Sequence, residues 1–326
     1  MNEKVSIFID KLSIEKIVNE KLGESIHIPK TPIDNQFSVE HNFRDFQNVK
    51  DATLFINCNS DDNQKLSFTS YMSTKYYENN EVYVDCHTVK NSIGNYIFVH
   101  GLFEDDLTKY NVLIKELNKN QINVFIIKLP YHFERKPLES KFSGEYFWSA
   151  DIYRSAYAFK QGVYDLYQLY CYIKQSTQQP VFIMGFSMGG CISLILYSIF
   201  PELDGLFLIN PVSHLTKISW EHSLFQSIKH VLLQYDFTFE KLFRIFQSLE
   251  PLIHPTQSYP KQNIVLARAI YDQFVEKEDY DNLEKKWALK HVIQYNAGHM
   301  NIFRVPKLST DIVNFFKRSN SALFPN

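Results

Sequence analysis

The segment Gly185-Phe186-Ser187-Met188-Gly189-Gly190 constrains this chain more than any other part of it. An apolar run, VFIM, leads into it, and the apolar-periodic run CISLILYSIF leads out. A backbone that leaves a buried strand and enters a helix within so few residues must turn sharply. Glycines two positions before and two after Ser187 remove the side chains that would crowd strand against helix. The Ser187 hydroxyl is then left standing at the sheet edge, above the helix N-terminus. The chain is sparing with glycine, holding only 10, about 3% against about 7% in average usage. Five of those 10 (Gly101, Gly185, Gly189, Gly190 and Gly298) nevertheless fall in three short motifs.

Around that turn the pattern alternates. Asn95–Val99, Asn123–Leu129, Val181–Phe186, Leu206–Asn210, Ile264–Ala267 and His291–Tyr295 read as strands. Helical periodicity marks Thr108–Asn118, Asp151–Lys174, Met188–Phe200, Asp279–Trp287 and Lys307–Lys317. In Asp151–Lys174 the apolar positions Ile152, Ala156, Phe159, Val163, Leu166, Tyr170 and Ile173 step by 4 and 3, one face of a helix. Such alternation predicts an α/β fold with a mostly parallel, doubly wound sheet. Two earlier strands are expected near Leu66–Ser73 and Val82–Val89.

This reading divides the chain into an N-terminal extension (1–65), a core in two parts (66–210 and 262–326), and an insertion (211–261). The insertion carries Leu224, Ile228, Val231, Leu232, Leu242, Phe243, Ile245 and Phe246 at helical spacing, and Pro251, Pro255 and Pro260 mark its end. It is expected to form a helical cap over the C-terminal edge of the sheet, where ligands bind in open α/β sheets.

Composition excludes several classes. A net charge of −2 shows no basic excess and argues against a nucleic-acid partner. No run of 18 apolar residues occurs, so no membrane-spanning helix is expected. The opening run MNEKVSIFIDKLSIEKIVNEKLG carries charges every few residues, unlike the apolar core of a signal peptide, so a cytoplasmic location is expected. Cys58, Cys86, Cys171 and Cys191 lie far apart, consistent with reduced thiols. No phosphate-binding glycine loop and no metal-ligand spacing occurs, so neither cofactor nor metal is expected.

A serine hydroxyl needs a base to become a nucleophile. His299, in Asn296-Ala297-Gly298-His299-Met300 just after the last strand, is placed to reach the edge beside Ser187. His214, His222, His230 and His254 lie in or beside the insertion, and His291 begins a strand. Asp272, a few residues past Ala267, is the candidate acid that orients the imidazole. Glu276, Glu278, Asp279 and Asp281 read as solvated charges opening the next helix, Asn210 is uncharged, and Asp204 precedes its strand at the opposite edge. Oxyanion donors are expected from the backbone N–H groups of Met188 and Leu102, with Gly101 permitting close approach and His100 organising the loop.

These motifs together resemble the α/β-hydrolase superfamily over residues 66–318. The resemblance implies a Ser-His-Asp triad of Ser187, His299 and Asp272, no cofactor, and a serine esterase that cleaves a carboxylic ester or thioester through an acyl-enzyme. Acyltransfer or amide cleavage on the same triad, and a non-catalytic binding protein on the same fold, are the alternatives. Leu129-Pro130-Tyr131-His132-Phe133-Glu134-Arg135 resembles the LP-x-H-x-x-R stretch of a poorly characterised branch of that superfamily. No catalytic role is read for Arg135 or Asp151, which are expected to pair with each other near the mouth of the site. Trp220, Leu224, Phe225, Phe243 and Phe246 are expected to line an apolar acyl pocket.

Overall fold

The computed structural model describes residues 2–22, 65–254 and 263–323. Cys58, most of the N-terminal extension, and the insertion's end with Pro255 and Pro260 lie outside the described residues. Eight strands form one sheet in the order β1 (Lys65–Thr69), β2 (Glu81–His87), β4 (Ile122–Ile127), β3 (Gly94–Val99), β5 (Val181–Phe186), β6 (Gly205–Ile209), β7 (Ile264–Ala269) and β8 (His291–Tyr295). β1 and β2 are antiparallel to their neighbours, and the other pairings are parallel. The six strands of the parallel part correspond to the six expected ones, with ends shifted by one or two residues.

Both sheet faces are covered, and the period of two along each strand sorts side chains between them. Ile97, Val99, Ile183, Leu206, Leu208 and Leu266 face one way, against α3 (Ile152–Thr177), α4 (Met188–Ile199) and α8 (Lys277–Lys286). Tyr96, Phe98, Phe182, Met184, Phe207 and Val265 face the other way, against α2 (Asn111–Lys119) and α9 (Pro306–Leu323). Between β6 and β7 the chain forms α5 (Leu215–Glu221), α6 (Gln226–Gln234) and α7 (Phe239–Phe246). An N-terminal helix, α1 (Glu3–Ile17), precedes the sheet and ends in a π-turn, Val18–Leu22.

Register positions the site. Val99 pairs with Gly185, Phe186 with Ile209, Ile209 with Ala267, and Ala269 with Tyr295. The C-terminal ends of β3, β5, β6, β7 and β8 are therefore level, and the loops that follow them meet on one edge.

Arg135 and Asp151 do not pair. Arg135 is fully buried, its Nη1 lies 2.8 Å from Asp165 Oδ2 on α3, and it donates to the carbonyls of Lys128 and Asn79. Asp151 instead caps α3 and pairs with Arg154. The expectation failed because the apolar stripe of α3 hid a buried polar set beside it, Gln161, Asp165 and Gln168. Asp165 also accepts from Ser70 Oγ at 2.6 Å, so one ion pair ties α3 to the loops after β1 and β4. Arg135→Ala leaves a buried carboxylate without its cation and is expected to cost about 3–5 kcal/mol in urea unfolding. The double variant Arg135→Met with Asp165→Leu is expected to recover most of that loss.

Candidate active site

Ser187 sits at the junction of β5 and α4 with φ 54° and ψ −117°, a left-handed conformation rare for a non-glycine residue. Its N–H donates to Ile209 O at 2.9 Å, and its carbonyl accepts from Val212 and Cys191. The glycines answer to the crowding. A Cβ on Gly189 would lie 2.1 Å from Val99 O on the neighbouring strand, and one on Gly185 would lie 2.6 Å from Gly189 O.

Three loops converge on this turn. His299, in the loop after β8, places Nε2 2.9 Å from Ser187 Oγ and Nδ1 2.8 Å from Asp272 Oδ2. The His299 and Asp272 side chains are 3% and 2% exposed, so bulk water does not compete for these contacts. Asp272 Oδ1 accepts from the N–H groups of Phe274 and Val275 at 2.7 and 2.9 Å, which fixes its rotamer. Asp272 Oδ2 also accepts from the Tyr280 hydroxyl at 2.7 Å. Burial first, then the Asp272 charge, push the Tyr280 phenol well above its ordinary range, so it stays a donor. The rings of Phe274 and Phe186 lie 4.7 and 5.0 Å from the imidazole and hold it in place.

The neighbouring acids lie elsewhere. Glu276 and Asp279 both bind Lys217 of α5, and Asp281 binds Arg268, so they are ion-paired and not simply solvated. Asp204 binds Lys174 and Val181 N at the opposite sheet edge. Asn210 accepts from Ala269 N at 2.8 Å and donates to His299 O at 3.5 Å, a bracket between two site loops.

The loop after β3 is braced by two histidines. His100 Nδ1–H donates to Gly101 O at 2.7 Å, while Nε2 accepts from Leu129 N at 3.1 Å. His132 Nδ1–H donates to Pro130 O at 2.8 Å, while Nε2 accepts from Phe103 N at 3.2 Å. Each ring thus faces one carbonyl and one N–H, which selects the neutral Nδ1–H tautomer. Burial drives His132 down to about 3 and His100 well below its ordinary value. Phe103 has φ 59°, a bend these bonds hold open. Among the described residues the Leu102 N–H has no hydrogen-bond acceptor. Met188 opens α4, where a helix leaves its first N–H groups without partners.

A cavity of about 410 Å³ opens at Ser187, with Leu102, Met188 and His299 in its wall. Trp148, Val212, Ile218, Leu224, Phe225 and Phe274 form its apolar lining, and Lys16, Glu20, Lys21, Glu104 and Asp105 its polar rim. Of the expected apolar residues, only Leu224 and Phe225 line it. Phe246 is buried against Phe159, Trp220 stacks under Lys229, and Phe243 is half-buried outside the lining. Helical periodicity marks which side of a helix is apolar, but not whether that side meets a core or a cavity. Among the described residues no group of three His, Cys, Asp or Glu could hold a metal, and no helix is long and apolar enough to cross a membrane.

Residues 97–248 match the family described as alpha/beta hydrolase fold. Uncharacterized protein YdjC of Bacillus subtilis (strain 168) is 29% identical over 94 residues, covering 28% of this chain and 78% of that protein. Acetyl Xylan Esterase 1 from Thermoanaerobacterium sp. JW/SL YS485 superposes with a TM-score of 0.57 at 14% identity, over 84% of this chain and 94% of that one. Est1E from Butyrivibrio proteoclasticus with bound ferulic acid gives 0.54 at 13% identity, over 74% and 96%. An esterase from Pyrococcus furiosus gives 0.52 at 15% identity, over 90% and 98%. At these identities the likeness is one of fold, and the chain is a protein of the α/β-hydrolase fold.

The two neutral histidines set a pH dependence. The unfolded chain protonates each near its ordinary 6.5, whereas folded His132 resists until about pH 3. The unfolded state therefore binds more protons in that window, and stability falls as pH drops from about 6.5 toward about 3. His132→Gln is expected to lower stability at pH 7 and to flatten the pH slope by up to about 1.4 kcal/mol per unit, read by urea unfolding at pH 5 and 7. An unchanged slope would mean that His132 is charged in the folded protein.

Proposed function

We propose that the protein is a serine hydrolase that cleaves a carboxylic ester or thioester through an acyl-enzyme. The observation that carries this reading is the hydrogen-bonded line Ser187 Oγ, His299 Nε2, His299 Nδ1, Asp272 Oδ2, with Ser187 at the wall of a cavity. The solved structures of like fold named as esterases support the same chemistry.

As Ser187 Oγ attacks the substrate carbonyl carbon, its proton passes to His299 Nε2. Asp272 holds the Nδ1–H tautomer and stabilises the imidazolium. The carbonyl oxygen gains the charge and takes hydrogen bonds from the Leu102 and Met188 N–H groups, each worth about 3–4 kcal/mol in the transition state. Collapse breaks the bond to the leaving oxygen or sulfur, which receives the proton from His299. Water then repeats the sequence on the acyl-enzyme, releasing the acid and restoring Ser187. The apolar lining accommodates the acyl chain. The paired charges of the rim, Lys21 with Asp105 and Lys109 with Glu104, leave these cations already neutralised and suit an uncharged substrate.

A fluorophosphonate probe is expected to add once to the wild type and not at all to Ser187→Ala, read by intact mass. Ser187→Ala is also expected to lower kcat on p-nitrophenyl esters by a factor on the order of 10⁴–10⁶. An unlabelled, folded wild type would sink the proposal in favour of a binding protein. Leu224→Trp, which fills the apolar end of the cavity, is expected to lower kcat/KM for an octanoyl ester about tenfold or more relative to acetyl.

A further inference from the structure

α1 buries polar residues where an ordinary docking helix buries apolar ones. Ser6 and Asp10, one turn apart, are both fully buried, whereas Val5, Phe8 and Leu12 are 50, 65 and 52% exposed. The buried side meets the loops that carry the candidate base and acid. Asp10 Oδ2 accepts from His299 N at 2.7 Å and from Gln273 N at 3.1 Å, and Oδ1 accepts from Met300 N at 3.0 Å. Ser6 Oγ accepts from Asn301 Nδ2 at 3.2 Å, and Asn301 Oδ1 accepts from Gly298 N at 2.8 Å. A Cβ on Gly298 would lie 2.7 Å from Asp10 Oδ2, so a glycine there is what lets the carboxylate reach the backbone.

We propose that Asp10 is a positioning residue for the base and acid of the Ser187 site, which makes the N-terminal helix part of the catalytic device. The inference rests on the hydrolase reading above. His299 must hold contacts of 2.9 Å to Ser187 and 2.8 Å to Asp272 at once, although base and acid stand on loops after different strands. One carboxylate bonded to His299 N and to Gln273 N, next to Asp272, clamps both loops to a single rigid group. Hydrogen bonds to an ionised acceptor are roughly twice as strong as neutral ones, which suits a clamp. A displacement of about 1 Å in such an arrangement can cost about a hundredfold in rate. Burial pushes the Asp10 carboxyl up, and the Met300 and His299 N–H groups and the His299 ring oppose that rise. The same loop N–H groups would otherwise be buried without acceptors.

Steady-state hydrolysis of a p-nitrophenyl ester by the full chain tests this. Asp10→Asn turns one accepting oxygen into a donor that faces N–H groups. It is expected to lower kcat about ten- to hundredfold while KM stays within about twofold. Gly298→Ala, which displaces the carboxylate from the other side, is expected to show the same split. Leu22→Ala removes a buried apolar contact of the same N-terminal segment and is expected to lower Tm without the loss in kcat. A kcat for Asp10→Asn within about twofold of a wild type that depends on Ser187, or an equal loss in Leu22→Ala, overturns the inference and leaves the hydrolase reading standing. Turnover that survives Ser187→Ala overturns both. Amide exchange on the wild type needs no variant to fold: the N–H groups of Gln273, His299 and Met300 are expected to be protected like those of β7. Fast exchange of His299 and Met300 overturns the clamp.

Discussion

The steric crowding at the β5–α4 junction is the constraint on which the site depends. Strand must become helix within one residue while β3 lies close alongside, with Val99 O only 2.1 Å from where a Gly189 Cβ would stand. The chain answers by placing glycine at the contacts and by forcing Ser187 to φ 54°. Such a conformation costs about 1–3 kcal/mol and persists only where its surroundings over-determine it. Here the bonds from Ser187 to Ile209, Val212 and Cys191 do so. The result is a hydroxyl held clear of the sheet at the N-terminal end of a helix.

Around that fixed point the structure solves one recurring problem, the placing of polar groups where water is excluded. His100 and His132 are kept neutral and satisfied at both nitrogens, so they join two loops without burying charge. Arg135 and Asp165 are buried as a pair, the guanidinium donating to the carbonyls of Lys128 and Asn79 and Asp165 Oδ1 accepting from Ser70 Oγ. Asp272 uses both oxygens, two backbone N–H groups on one and Tyr280 with His299 on the other. Each arrangement stiffens a loop that a less complete hydrogen-bond set would leave free to shift. The LP-x-H-x-x-R stretch acts through this bracing, by way of the Phe103 N–H and the Asn79 carbonyl.

The cavity combines an apolar lining with a rim of paired charges, part of it contributed by α1 through Ser13, Lys16 and Ile17. The N-terminal segment therefore meets the site twice, through the cavity wall and through Asp10 under the histidine loop. A helix outside the sheet thus both lines the cavity and bonds the loop that carries His299.

What the sequence determined by itself is what local physics encodes. The six strands of the parallel part follow from short apolar runs, α3 from its stripe of Ile152, Phe159, Val163, Leu166 and Ile173, and the turn at Ser187 from the spacing of Gly185 and Gly189. The convergence of Ser187, Asp272 and His299 was legible because parallel strands in register bring successive loops to one edge. Tyr280, the partner of Arg135, the bracing by His132 and the clamp by Asp10 were decided only in the tertiary structure. Asp10 and His299 are 289 positions apart, and a hydrogen bond across that distance leaves no period or motif in the chain. Likewise the apolar spacing of the insertion could not reveal that Leu224, in the turn between α5 and α6, faces the cavity while Phe246 of α7 faces the core. Periodicity reports which face of an element avoids water, and only the packing of whole elements settles what that face meets.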